Sequence, residues 1–393
     1  MNKRFTRSEF LFLTAYILWL LFAVLRLTYL KDLFAFSVMN RYVEKIVMGL
    51  LLLKLIEDDR YGIKGILGIC VVAALYYVSL QANATELVLP VGFIFSARNV
   101  DYRHFFKATL AVQLSVMAVS VTCSLMGVIP NEAWEEPERI RYSLGYTFCT
   151  YGSHISLFLT LVYMSLRKRL KFMEAALLLI WNLIWYQVTD TRTDLFLFVP
   201  AIVGCYVLGR LEIKMWNRWI YRLALMLAGP VIAFGAIAAQ WYFDIDNALW
   251  LRFDHALNSR LRLGHDAITQ YGFSLWGQYI KWVGRGGIKL HPDWVYNYVD
   301  CSFLKYLLHY GIVFFVLLLL GLVLVGRMVA ESRNPALAVA FVAWLLYGAV
   351  DAELFALNFQ PFMLLLGYSF AQWNFILPKA MSGKICQVTE NRV

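Results

Sequence analysis

The chain has 393 residues, of which 61% are hydrophobic, 16% aromatic and only 16% charged. Soluble domains carry about 25% charged and about 45–50% apolar residues, so this composition excludes a soluble globular protein and indicates a polytopic membrane protein. The formal net charge of +10 does not indicate nucleic-acid binding, because lysine and arginine collect in the cytoplasmic loops of membrane proteins. The six cysteines form no CxxC pair and no His/Cys cluster at metal spacing, so no metal site and no cofactor are predicted.

Twelve apolar segments are predicted to cross the membrane as helices, since about 20 apolar residues span the hydrocarbon core. The basic start of the chain leads into the first segment, and no small-residue cleavage site of a signal peptide follows it. The third and fourth segments are separated only by QANATE and could instead form a re-entrant pair. In chain order, the predicted spans are 10–27, 38–56, 63–81, 84–97, 106–129, 145–166, 173–188, 194–209, 220–240, 303–326, 335–350 and 353–377.

The charged loops predict the orientation of these spans. Most of the lysines and arginines fall in short loops that share one side when the N terminus is cytoplasmic, so both termini are predicted to be cytoplasmic. The chain then divides into residues 1–240 with nine spans, a large external loop at 241–302, and residues 303–393 with three spans and a cytoplasmic tail. The external loop is long enough to fold as a lid over the outer membrane face.

Several arginines lie on the predicted outer face, where topology does not require cations. The motif TDTRTD places Arg192 between Asp190 and Asp194 and between two apolar runs. Arginine stays charged, and its planar fork binds phosphate oxygens bidentately, so a group of arginines suits a lipid diphosphate. The alternative for Arg192 is an ion pair with either aspartate or a snorkelling position at the interface. The outward cations are Arg139, Arg141, Arg192, Arg260, Arg262, Arg285 and Lys289.

Acidic and histidine side chains lie near the same predicted face. Asp300 ends the external loop directly before the tenth span, and Glu353 and Asn358 stand at the predicted outer start of the last span. Polar groups at such depths are costly and are typically functional. His291 belongs to the loop motif KLHPDW, for which a plain loop role is the favoured alternative. The two histidines inside spans are interpreted as hydrogen-bonded packing residues.

The chain resembles the Wzy-type polysaccharide polymerases, the bacterial O-antigen and capsule repeat-unit polymerases. The resemblance rests on RYSLGY, TDTRTDLFLF, SRLRLGHDAITQYGFSLWG, DCSFLKYLLHYGI and AELFALNFQPF, which occur in the family's order around one long outer loop. In topology it covers nearly the whole chain. It implies an all-α polytopic membrane protein of the bacterial cytoplasmic membrane, with about 12 transmembrane helices, one large external loop and a GT-C-like membrane glycosyltransferase architecture.

The resemblance also implies a reaction, a metal-independent glycosyl transfer on the outer membrane face. A growing glycan on undecaprenyl diphosphate would move to the non-reducing end of a new lipid-linked repeat unit, producing capsule, exopolysaccharide or O-antigen. The implied partners are these lipid-linked substrates, membrane lipid, a flippase and a chain-length regulator, with no nucleic acid.

Two motifs of the related O-antigen ligases are imperfect in this chain. The ligases carry a histidine, ten residues and a glycine, whereas here Asp300 precedes Gly311 at that spacing. Their motif of arginine, ten residues and glycine is approached by Arg260 and Gly272, with eleven residues between them. Both departures disfavour a lipid-A-type ligase.

The chemistry of the implied reaction assigns roles to these residues. The leaving diphosphate carries negative charge, so the site must stabilise charge, and Arg192 and Arg260 are predicted to do so. The acceptor hydroxyl needs a base within hydrogen-bonding distance, and Asp300 is the predicted base. The predicted substrate-binding residues are Arg139, Arg141, Arg262, His291, Glu353 and Asn358.

Two other functions are open at this point. One is an O-antigen ligase-like transferase that attaches finished glycan to another acceptor, and the other is a flippase or transporter of lipid-linked oligosaccharides. A flippase should carry its cations in a cavity reachable from both sides. The unexplained arginines lie only at the predicted outer level, which favours an enzyme.

Overall fold

The computed structural model describes residues 6–58, 63–136, 139–210, 219–284 and 295–372. These residues are mostly helical, with two short 3₁₀ turns at Tyr29–Leu33 and Thr85–Leu87 and one antiparallel pair of strands. The helices are α1 Arg7–Leu25, α2 Phe36–Glu57, α3 Ile63–Gln81, α4 Val88–Ser96, α5 Tyr102–Leu125, α6 Tyr151–Leu166, α7 Phe172–Thr189, α8 Arg192–Leu208, α9 Trp219–Trp241, α10 Ala248–Ala256, α11 Arg260–Tyr271, α12 Ser302–Ser332, α13 Pro335–Val350 and α14 Leu364–Gln372. The strands are β1 Ala133–Glu136 and β2 Arg139–Tyr142.

Each predicted span contains helical residues, but α4 and α14 have only nine residues each and are shorter than the spans predicted at 84–97 and 353–377. Residues 241–302 contribute the additional helices α10 and α11. Five of the described helices, α1, α5, α7, α9 and α12, are long and apolar enough to cross a membrane, and α3, α6 and α13 contain shorter apolar helical stretches. The prediction of an all-α membrane protein is therefore confirmed at this level.

Helices α6 and α13 form the centre of the bundle. Both are buried around most of their circumference, as expected for helices that are apolar on all sides. Helix α13 packs against α6, α8, α9 and α12. It begins at Pro335 because the Asn334 side chain accepts hydrogen bonds from the next free N–H groups and proline suits the first helical position. These two helices carry polar groups to both ends of the bundle.

Polar contacts between loops show which loops lie at the same end of the bundle. At one end, Ser8 donates to Asp58 at 2.6 Å, and Asn334 donates to the carbonyl oxygen of Ser165 at 3.0 Å. At the other end, β2 contacts the α7–α8 turn, and α11 contacts the start of α12. Each of these contacts joins segments that the loop charges predicted to lie on one side of the membrane.

The predicted start of the last span is wrong. Residues 351–363 are not a regular helix, and α14 begins only at Leu364. The Gln360 side chain replaces helical hydrogen bonds, since its Nε2 donates to the Leu354 carbonyl and its Oε1 accepts from the Phe362 N–H, both at 2.6 Å. Gln113, midway along α5, donates to the carbonyl oxygens of Asn358 and Phe359. Residues 351–363 therefore reach about half the depth of the bundle.

Helix α12 is broken at Gly311, where φ is +82° and ψ 178°. Part of the external loop enters the break, because the N–H groups of Ile312 and Val313 donate to the carbonyl oxygens of Ser274 and Leu275 at 3.0 and 3.1 Å. Backbone without helical hydrogen bonds is tolerated at membrane depth only where other protein groups satisfy it. The loop predicted to be external is thus more than a surface lid, since Ser274 and Leu275 complete the broken helix α12.

Gly311→Ala is expected to disrupt this junction. A Cβ at that position would meet the backbone of Gly277 and Ser274, and this φ/ψ region is essentially restricted to glycine at a cost of up to about 3 kcal/mol. The variant should yield much less monodisperse protein in detergent and unfold at lower temperature. Gly235→Ala in α9 is the control, because nothing lies within 4 Å of its Cβ. Equal thermal stability of the two variants would contradict the assigned role of Gly311.

Candidate functional site

Two of the predicted catalytic residues contact each other. The Arg260 Nε donates to the Asp300 Oδ2 at 2.9 Å, and the side chains are 20% and 26% exposed. The Arg260 Nη1 lies 3.4 Å from the Thr193 Oγ1, which joins the TDTRTD motif to the pair. Burial lowers the pKa of Arg260, but the negative charges of Asp300 and Asp351 outweigh burial and raise it. The guanidinium therefore stays charged at any working pH.

The hairpin of β1 and β2 fixes the turn between α7 and α8. The Arg139 Nη1 donates to the Asp190 Oδ2 at 2.9 Å, and the Arg141 Nε donates to the Thr189 carbonyl at 2.7 Å. Asp190 has a left-handed backbone, with φ +42° and ψ +45°, so the turn needs outside support. The structure therefore gives Arg139 and Arg141, both predicted to bind substrate, an anchoring contact with the turn that carries Arg192.

Arg192 is the more accessible cation of this group. Its side chain is 59% exposed, and its Nε lies 3.7 Å from the Asp190 Oδ1, a loose ion pair on an exposed surface. Such pairs contribute about 0–1 kcal/mol. Pairing with Asp194, one of the alternatives raised by the motif, does not occur, because Asp194 is buried against His154. The guanidinium of Arg192 is therefore accessible to an anion from solvent.

A buried histidine links two carboxylates that the sequence did not single out as site residues. The His154 Nδ1 lies 3.0 and 3.1 Å from the two oxygens of Asp194, and its Nε2 lies 3.8 Å from the Asp351 Oδ2. Asp351 is held in turn by Ser302, whose Oγ donates to its carbonyl oxygen at 2.6 Å. The sequence offered two signals for this cluster: His154 lies within a predicted span, and Asp351 lies at the end of another.

The pKa of Asp351 is raised to about 6, chiefly by burial, with Glu353 and Asp300 adding to the rise while His154 and Arg260 oppose it.

This raised pKa predicts a pH-dependent stability. Because the folded state favours the protonated carboxyl of Asp351, the contribution of this group to stability is complete below about pH 4 and is lost as pH rises through about 6. Asp351→Asn, which is neutral at every pH, should therefore gain thermal stability relative to the wild type as pH rises from 4.5 to 7. Asp246→Asn, at an exposed loop position, is the control. A stability difference independent of pH would contradict burial of Asp351.

A cavity of ≈ 750 Å³ adjoins this cluster. Two predicted substrate-binding residues, Glu353 and Asn358, line it together with side chains from α1, α2, α12 and the 85–90 segment. A hydrogen bond connects the cavity wall to the segment that carries the ion pair. The Oγ of Ser302, two residues after Asp300, accepts from the N–H of Leu354 at 3.1 Å, and the preceding residue Glu353 lines the cavity. The site therefore consists of an arginine turn, an ion pair and a cavity in sequence around the start of α12.

The other predicted site residues have no described contact with the ion pair or the cavity. Arg262 lies on the exposed side of α11, and its backbone N–H donates to the Asp254 Oδ1 at 3.1 Å. His291, with the neighbouring Arg285 and Lys289, lies outside the described residues. Among the residues that the structure describes, no group of three or more His, Cys, Asp or Glu side chains could hold a metal ion.

The fold and site define an all-α membrane protein with a charged cluster and an adjoining cavity at one end of its helix bundle. No family model matches the chain, and comparisons with curated proteins and with solved structures find no match.

Proposed function

We propose that the chain is a membrane glycosyltransferase that polymerises undecaprenyl-diphosphate-linked repeat units into a surface polysaccharide. The observation that carries the proposal is the Arg260–Asp300 pair, which lies between the accessible Arg192 turn and the cavity lined by Glu353 and Asn358. A glycosyl transfer from a lipid diphosphate needs cations for the leaving group, a base for the acceptor hydroxyl and room for sugars. All three elements adjoin one another at this end of the bundle.

The proposed reaction uses the residues as follows. Arg192 and Arg260 bind the diphosphate of the donor and stabilise its charge as the bond between the sugar C1 and the phosphate oxygen breaks. The hydroxyl oxygen of the acceptor sugar forms the new bond to C1, and its proton passes to the Asp300 carboxylate. Lipid diphosphate leaves, and the glycan remains on the acceptor lipid. No metal or cofactor has a role in this proposal.

Two alternatives remain distinct from this proposal. A ligase-like transferase would use the same groups with a different acceptor. A flippase would need cations along a path through the bundle, whereas the Arg192 turn and the Arg260–Asp300 pair lie at one end. This placement supports an enzyme.

Deletion of the gene in the native bacterium tests the proposal. The surface glycan should lose its long chains, while single repeat units are retained on their lipid or surface acceptor. Loss of single repeats as well would indicate a flippase, and retained long chains that fail to reach their final acceptor would indicate a ligase. Flippase and chain-length regulator proteins are the proposed partners.

The proposal includes a topology of twelve crossings in the bacterial cytoplasmic membrane, with both termini cytoplasmic and the Arg260–Asp300 pair outside. A membrane-impermeant maleimide applied to intact cells should modify Asp246→Cys, in an exposed turn before α10, and should not modify Lys168→Cys, in the exposed α6–α7 loop. The unsubstituted chain provides the background of its native cysteines. Labelling of Lys168→Cys alone would reverse the orientation and place the site inside the cell.

A further inference from the structure

We propose that the cavity beside the Arg260–Asp300 pair is the acceptor-sugar site and that it takes a neutral or amino-substituted sugar, not a uronic acid. The inference rests on the proposed function, because it names the substrate class of the same site. It is carried by the unpaired polar groups on the cavity wall and by the sign of their charges.

The cavity wall carries carboxylates that the protein itself does not satisfy. Among the described residues, the side chains of Glu86 and Glu353 form no hydrogen bond or ion pair, and both line the cavity. The side-chain amide of Asn358 is equally unpaired there. Glu353 and Asn358 are half-buried, and leaving such groups without partners is costly unless water or a ligand satisfies them, whereas Glu86 is exposed. A ligand rich in hydroxyl donors would do so.

Two ring nitrogens on the same wall also lack partners. The His309 Nδ1 and the Trp282 Nε1 are buried and have no hydrogen-bond partner within the described chain, and His309 is only 7% exposed. Both residues line the cavity, as do Trp19, Tyr306 and Tyr310. Aromatic side chains combined with a few polar groups are typical of small-molecule pockets, and aromatic faces suit the apolar faces of sugar rings. The cavity thus offers both elements of carbohydrate binding.

The charges on the wall determine which sugars fit. The acidic residues are Glu44, Glu86 and Glu353, and the basic ones are Arg26 and Lys305. The Lys305 ammonium is already directed to Tyr298, donating to its hydroxyl at 2.8 Å and lying 4.2 Å from the ring centroid. Acidic residues therefore outnumber basic ones by three to two, and a sugar carboxylate beside Glu86 and Glu353 would face like charges, which costs affinity. Hydroxyl and ammonium groups, by contrast, can donate to the free carboxylates.

The experiment uses the purified full chain and one defined probe, the oligosaccharide released by mild acid from the lipid-linked repeat units of the deletion strain. The wild type should bind this probe in isothermal titration calorimetry. Glu353→Gln and Glu86→Gln should each weaken binding by about tenfold, because hydrogen bonds to charged acceptors are stronger than those to neutral ones. Glu331→Gln is the matched control, because its carboxylate is paired with Arg222 and Arg327 at the other end of the bundle. All variants must keep the wild-type melting temperature.

The non-reducing terminal sugar of the same probe, identified by mass spectrometry, should carry no carboxylate. A terminal uronic acid, no binding by the wild type, or wild-type affinity in both Glu variants would each overturn the inference. Failure of the proposed function would appear separately, as an unchanged chain length of the surface glycan in the deletion strain.

Discussion

Arg260→Ala is expected to reduce polymer formation by about 10²–10³-fold, the loss typical when one group that stabilises transition-state charge is removed. The guanidinium bridges the Asp300 carboxylate and the Thr193 hydroxyl, so its removal frees both neighbours and takes away the charge proposed to stabilise the donor diphosphate. Chain length of the surface glycan, read on gels at matched protein level, measures the effect.

Arg260→Lys should restore little of this activity. An ammonium is a point charge, and it cannot reproduce the fork that reaches Asp300 through Nε and Thr193 through Nη1. Arg252→Ala is the control, because Arg252 is an exposed arginine of α10 in the same external loop. Long chains from Arg260→Ala at normal expression would remove Arg260 from the mechanism, and equal loss in Arg252→Ala would point to the charge of the external loop as a whole.

The helices were largely predictable from the sequence because hydropathy is a local property. Most of the apolar runs contain a helix, and five of the described helices are long and apolar enough to cross a membrane. The break at Gly311 was not predictable, since glycine is common inside membrane helices and the residues that fill the break lie more than thirty positions earlier. The start of the last span was predicted wrongly for a similar reason. The side chains of Gln113 and Gln360 make hydrogen bonds that replace helical ones in an apolar segment, and the sequence of that segment does not reveal them.

The candidate site was predictable in part. Arg260 and Asp300 were both predicted as site residues. Arg260 was predicted because it is an arginine on the predicted outer face, and Asp300 because it is an acidic residue directly before a span. The link of His154 to Asp194 and Asp351 joins α6, the start of α8 and the end of α13. It depends on which helices are neighbours, and spacing along one chain carries no information on that. Burial of Asp194 also explains why the motif TDTRTD leaves Arg192 accessible.

Asp300→Asn is expected to abolish most polymer formation while the protein stays folded. Asp300 does not cap the helix that follows it, because the N-cap of α12 is Cys301 and the Asp300 side chain is directed to Arg260. Asparagine keeps the size of the side chain and one carbonyl oxygen for Arg260, but it cannot accept the proton of the acceptor hydroxyl. Polymer length and the melting temperature of the purified variant separate lost chemistry from lost structure.

The double variant Arg260→Gln/Asp300→Asn decides between a catalytic and a structural pair. Breaking a buried pair by removing one partner costs about 3–5 kcal/mol, and less here because the side chains are 20% and 26% exposed. Replacing both charges with neutral groups is often harmless to stability. If the pair only holds α11 against the start of α12, the double variant should therefore recover polymer relative to the single variants.

The catalytic reading gives the opposite result. If Arg260 stabilises the leaving diphosphate and Asp300 takes the proton, the double variant should fold well and still make no long chains, since groups that act together in catalysis are not rescued by losing both. Recovery of long chains would leave the Arg260–Asp300 contact as a structural ion pair and require another base, for which Asp351, whose pKa is raised and which interacts with both residues of the pair, is a candidate.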